Sequence, residues 1–155
     1  MEKLGLSVSP KHIILPKNNH WLRRIILVFV FILFDCLSTI IFCRASPEEA
    51  NIYARAFMEA FGIPTGLTLF VLLANLPIYT VLSLDSHIVK FPKKMAVLVE
   101  LFTDFVFAWF IAGLHFSGGT SWFWRVPDAE RRFIGMLLYL CAAFIFVKPY
   151  KPRYN

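Results

Sequence analysis

Four long apolar stretches, at about 21–43, 64–84, 95–115 and 129–148, alternate with short polar connections along this chain. A helix of about 20 apolar residues crosses the hydrocarbon core of a bilayer, so each stretch predicts one span. Trp21, Arg23 and Arg24 anchor the first at the interface, and Cys43-Arg44 close it. The second carries Asn75 near its middle, followed by Pro77, whose missing N–H frees the carbonyl of Leu73 and predicts a kink. The third carries Glu100 and Asp104 and ends at His115. Ser117-Gly118-Gly119-Thr120 reads as a turn, with Trp122 and Trp124 as an aromatic belt beyond it. Pro127-Asp128 starts the last helix, of which only 133–147 is free of charge, roughly 22 Å at 1.5 Å per residue. Arg131 and Arg132 must then snorkel, unless the span begins nearer Asp128. Lys148-Pro149 stops it.

Between the first two spans the period changes. Ser46-Pro47-Glu48-Glu49 predicts a helix over 47–61, with Ser46 as N-cap, Pro47 at the first helical position and Glu49 completing a capping box. Ala50, Ala54, Phe57, Met58 and Phe61 form an apolar stripe, while Asn51, Arg55 and Glu59 form a polar one. Such a helix is too charged to span and belongs in the outer interface. Gly62-Ile63-Pro64 ends it. The expected fold is therefore an all-α polytopic membrane protein, with four transmembrane helices plus one amphipathic interfacial helix. A basic N-terminal tail (1–20) and a short C-terminal tail (149–155) flank the membrane domain (21–148).

Composition sharpens this picture. The 155 residues are 58% hydrophobic and only 17% charged, against about a quarter charged in ordinary soluble domains. The net charge of +6 does not point to nucleic acid, because the basic residues sit at the ends of apolar runs. The N-terminal side, the 85–94 loop and the C-terminal tail carry most of the Lys and Arg, which places both termini in the cytoplasm by the positive-inside rule. The first apolar run is longer than the core of a signal peptide and lacks a small-x-small cleavage site, so it reads as an anchor that stays in the plasma membrane. Cys36, Cys43 and Cys141 fall in predicted spans without metal-site spacing and read as small packing residues.

The candidate chemistry lies in mid-membrane. Counting from the span ends puts Asp35, Asn75, Asp104 and Tyr139 at one depth, where polar groups must turn to the bundle interior. Two carboxylates there are expected to face each other and share a proton. Glu100, Asp104, Ala108, Ile111 and His115 trace one helical stripe from side to side, as a proton or cation path requires. The plainer reading is a hydrogen-bonded lock between helices, Glu100 turning toward Lys93 or Lys94 and His115 an interfacial histidine. Asp104 and His115 lie about 16 Å apart along the axis and cannot hold one metal ion. No His-Glu-x-x-His, Gly-x-Ser-x-Gly or phosphate-binding loop is present, so no catalytic residue, metal or cofactor is assigned. The function expected is that of an accessory or scaffold subunit or a homo-oligomer, partnered by the bilayer and by other membrane subunits or itself. A small proton- or cation-coupled carrier using Asp35, Glu100 and Asp104 is the alternative, and a metal-assisted intramembrane enzyme a weaker one.

Asp35-x-x-x-Thr39 in a first span, Glu49-x-Asn51 in an outer helix and Gly62 before the next span form a pattern that resembles a group of small four-span membrane proteins of prokaryotes, mostly archaea. It covers roughly 22–85, and Ile52 stands where the group has Pro after the Asn. The resemblance implies a membrane bundle in which Asp35, Thr39, Glu49 and Asn51 act as a linked set, the outer helix tipping inward so that Glu49 and Asn51 cap a polar pocket below. It implies no activity.

Overall fold

The computed structural model describes residues 19–88 and 93–147, and these are helical throughout apart from short connections, with no strand among them. Helix α1 spans Asn19–Phe42. A single 3-10 turn, Ser46–Glu48, leads to α2 (Ile52–Phe61), and α3 follows at Ile63–Ile88. Helix α4 is one continuous rod over 93–121, built from Lys93–Val106, a π-helical segment Phe107–Gly113, and Leu114–Ser121. Helix α5 is Asp128–Phe146. Two segments, Leu22–Phe42 and Leu101–Ser121, are each 21 residues long and apolar enough to cross a membrane. At 1.5 Å per residue that is about 31 Å, matching the hydrocarbon core.

Several boundaries differ from those read off the sequence. The outer helix does not run from Pro47, and Ser46 does not cap it, because Ser46-Pro47-Glu48 closes on itself as the 3-10 turn. Asn51 is the N-cap instead, its Oδ1 accepting from the N–H groups of Tyr53 and Ala54 at 3.0 and 3.4 Å. Ser117-Gly118-Gly119-Thr120 is not a turn but the last turns of α4. Glycine there is needed for close approach to α1: a Cβ on Gly119 would fall 3.0 Å from Asp35 Cα and 2.7 Å from the Phe34 ring. Helix α3 continues through Pro77. The 1–18 tail, the 89–92 loop and 148–155 lie outside the described residues, as does the side chain of Glu100.

Packing follows the buried faces. On α1, Ile25, Val28, Ile32, Cys36, Thr39 and Cys43 are buried at spacings of three and four, while Ile26, Val30, Leu33, Leu37 and Ile41 point outward. Helices α4 and α5 pack on the first face with α1, around Val28, Phe31, Ala108, Ile111, Ala112 and Tyr139. Helix α3 runs antiparallel along the flank of α1, and α2 folds back over the start of α3 through Ala54, Met58 and Leu67. The hinge between α2 and α3 is Gly62, whose φ of 80° lies in the region that favours glycine. One turn later the helices nearly touch, and a Cβ on Gly66 would fall 2.1 Å from the carbonyl oxygen of Phe57.

The distribution of polarity is inverted. Buried positions include Arg24, Ser38, Thr39, Asn75, Ser117 and Thr120, whereas the outward faces of α1, α3, α4 and α5 carry exposed Leu, Ile and Phe. In water such continuous apolar cover would cause association, and in lipid it is the ordinary solvent-facing surface. Because Gly66 meets main chain and no rotamer can relieve the overlap, Gly66→Ala should force α2 from α3. It is expected to lower stability by about 1–3 kcal/mol, read as a lower thermal midpoint by circular dichroism in detergent with helix content retained below the transition.

Candidate functional site

Two charged pairs tie α1 to α4. At one level Arg24 holds Asp104 with a two-pronged grip, Nε donating to Oδ1 at 2.8 Å and Nη2 to Oδ2 at 2.9 Å. The Arg24 side chain is 3% exposed and that of Asp104 21%. At the other level His115 Nδ1 lies 2.8 Å from Asp35 Oδ2, an ion pair when the imidazole is protonated and a hydrogen bond when it is neutral. Both pairs join residues 80 apart in sequence. Equal offsets at two levels mean that α1 and α4 run parallel and in register. Arg24 to Asp35, and Asp104 to His115, are each eleven residues, so the levels lie about 16 Å apart.

The expected meeting of Asp35 with Asp104 therefore does not form. Asp35 and Asp104 each turn inward, but each takes its own basic partner, His115 and Arg24. Tyr139 does join Asp104: it is fully buried, lies in the field of Asp104 and Arg24, and its hydroxyl makes no hydrogen bond among the described residues. Asn75 joins neither level, since its side-chain amide donates to the Val71 carbonyl of its own helix at 2.8 Å. Between the levels the core is apolar, with Val28, Phe31, Ile32, Ala108, Ile111 and Ala112 buried. No polar stripe connects Asp104 to His115 through this layer.

The Asp35–His115 level opens into a pocket of about 590 Å³ between the ends of α1 and α4, the starts of α3 and α5 and the 48–54 segment. Asp35, Thr39, Glu49, Asn51 and His115, all singled out from sequence, line it together. Thr39 is held by Trp122, whose Nε1 donates to Oγ1 at 3.1 Å. A Cβ on Gly118 would lie 2.7 Å from Asp35 Oδ1, so glycine leaves room for the carboxylate to turn to His115. Glu49 and Asn51 have an architectural part as well: Glu49 Oε1 accepts from Asn51 N–H at 2.8 Å, and the Glu49 carbonyl accepts from Arg55 Nε at 3.0 Å. Glu48 Oε2 accepts from Arg44 N–H at 2.9 Å.

Sequence reasoning missed the arginines. Arg131 does not snorkel; it closes the α4–α5 connection by donating to the carbonyls of Ser117, Trp124 and Val126 and to Ser117 Oγ. Ser117 Oγ donates to Asp128 Oδ1 at 2.6 Å. Arg132 Nε lies 2.8 Å from Asp128 Oδ2, close enough for ionic attraction yet not aligned as a hydrogen bond. Arg24 carried a signal that was available: Arg24 and Asp35 repeat the eleven-residue spacing of Asp104 and His115. Among the described residues no group of three or more His, Cys, Asp or Glu is placed to hold a metal ion.

No protein-family model matches the chain, and neither a curated protein nor a solved structure does.

Removing one partner of a buried pair leaves the other charge uncompensated, whereas removing both restores an apolar core. Arg24→Leu is accordingly expected to cost about 3–5 kcal/mol, and Arg24→Leu with Asp104→Leu to recover most of that loss. Thermal unfolding of the single and double variants in one detergent measures the coupling; additive losses would show that the pair contributes nothing jointly.

Proposed function

We propose that this is an integral plasma-membrane protein with four spans and cytoplasmic termini, which acts without catalysis as an accessory or scaffold subunit through helix packing. The observation that carries this reading is the apolar layer between the two charged levels. Among the described residues, Arg24 and Asp104, and Asp35 and His115, pair across α1 and α4, where they act as struts and do not line a route through the core. The shared register supports the topology. If α1 and α4 both cross in the same direction, the chain between them must return, and α3 is long enough to do so, 26 residues or about 39 Å. Helix α5 then returns beside α4, its end reaching the start of α1, where Arg23 Nη1 donates to the Phe146 carbonyl at 3.0 Å. The exposed apolar faces on every long helix provide surfaces for lipid and for other helices. The pattern Asp35, Thr39, Glu49 and Asn51 that resembles the prokaryotic four-span group falls on one pocket, which supports treating these residues as a set.

The carrier reading needs water or polar side chains to link Asp104 with Asp35, and the layer containing Val28, Ile32 and Ala112 opposes it.

Purification in mild detergent distinguishes the two. The scaffold reading expects a defined homo-oligomer or a stable complex with another membrane protein, seen by light scattering and mass spectrometry, and no proton-coupled flux from reconstituted liposomes. A monodisperse monomer whose liposomes show flux abolished by Asp35→Asn would overturn it. Topology is read separately: cysteines introduced near 8 and 151 should react with membrane-impermeant maleimide from the cytoplasmic face, and one at 48 from the opposite face.

A further inference from the structure

A packing role leaves the pocket at the Asp35–His115 level without a purpose, and its chemistry is one-sided. Asp35, Glu48, Glu49 and Asp128 line it against the single guanidinium of Arg132, in a chain whose overall charge is +6. Two of these carboxylates also keep acceptor capacity to spare. Glu48 and Glu49 each engage one carboxylate oxygen with a backbone N–H, and the second oxygen of each has no partner among the described residues. His115 gives Nδ1 to Asp35, while Nε2 makes no hydrogen bond among the described residues and is not sealed from solvent. The indole N–H of Trp122 is already committed to Thr39, and Arg132 lies against Asp128.

The volume argues against a bare ion. Metal ions need several ligand atoms within about 2.0–2.6 Å, whereas about 590 Å³ suits a small organic molecule. Phe70 and Trp122 add aromatic faces beside the carboxylates, a combination that attracts organic cations. Phe31 and Ile32, one turn below Asp35, close the way into the core.

We propose that this pocket binds a small organic ammonium ion, its N–H groups directed to the carboxylates of Glu48 and Glu49 and its carbon skeleton to the aromatic and aliphatic wall beside the His115 ring. The ligand enters and leaves on the same side, because the apolar layer blocks passage. This goes beyond the scaffold reading and does not depend on it.

The test uses the full chain in lipid nanodiscs with 2-phenylethylamine as probe and 2-phenylethanol as its uncharged counterpart, measured by titration calorimetry. Saturable amine binding is expected, with the alcohol at least about tenfold weaker. Glu48→Gln with Glu49→Gln should weaken amine binding by about tenfold or more, while Glu59→Gln, outside the pocket, should leave it unchanged. Equal binding of amine and alcohol would overturn the proposal, as would full affinity in the double variant or no saturation below about 10 mM. Stoichiometric displacement of the amine by calcium would overturn it in favour of an inorganic ion. A second readout needs no folded variant: in wild-type protein with ¹⁵N-labelled histidine, saturating amine should shift the ring resonance assigned to His115 by its loss in His115→Gln. An unmoved resonance would also overturn the proposal.

Discussion

A guanidinium and a carboxylate held in an apolar interior must meet, and the Arg24–Asp104 contact is the constraint around which this protein is arranged. It fixes where α4 lies against α1, and the Asp35–His115 pair, at the same sequence offset, fixes the direction. Two parallel helices cannot be joined by a short loop. The long return through α2 and α3 is thus a requirement of the pairing, and α2 folds over the start of α3 at the end where α1 finishes.

The interior then divides into layers of different chemistry. An arginine–aspartate layer with the Tyr139 hydroxyl sits nearer the N-terminal end of α1, an apolar layer follows, and an acid-rich pocket lies at the other end. Hydrogen bonds between membrane helices are individually weak, averaging about 0.6 kcal/mol. Charge pairs specify more than they stabilise: a shift of one residue in register would bury an unpaired charge at both levels, which is far costlier than any lost van der Waals contact. The small residues of the α4–α5 crossing complete this arrangement. A Cβ on Gly113 would fall 2.8 Å from the Arg132 carbonyl oxygen, so the two backbones are nearly in contact there.

The long helices were legible because hydrophobic length and flanking charge are local properties, and α1, α3 and α5 begin and end within a few residues of the expected limits. Asp35 and Asp104 each reach the facing helix. Their partners were not legible. Depth counting takes each helix as straight, regular and centred, and it placed Asp35 with Asp104 because both sit near the middle of their runs. The structure places α1 and α4 in a parallel register that sends each acid to a basic residue assigned to the interface from sequence. Arg24 was read as an interfacial anchor, and Arg131 as snorkelling unless the span began nearer Asp128, where α5 does begin; Arg24 is buried against Asp104, and Arg131 closes a connection through main-chain carbonyls. Ser117-Gly118-Gly119-Thr120 looked like a turn because glycine pairs usually break helices, whereas close packing against Asp35 and Phe34 is what requires glycine there.

The wide spiral at Phe107–Gly113 carries a consequence for how this protein can change over time. A π segment is a local widening of the α-helix, equivalent to accommodating an added residue without breaking the rod. It lies between Asp104 and His115, so the two ends of α4 are phased through it. Loss of one residue inside it, with return to regular α geometry, would leave the two ends close to their present phase, whereas loss of one from a regular α turn between the docking points would rotate the far end by about 100° and swing the imidazole off Asp35, while Arg24 kept its grip on Asp104. Insertions and deletions are tolerated in most helices at their ends. Here the middle of α4 acts as a clutch between two docking points: it is the one stretch of the rod whose length can change by a residue while both ends stay engaged.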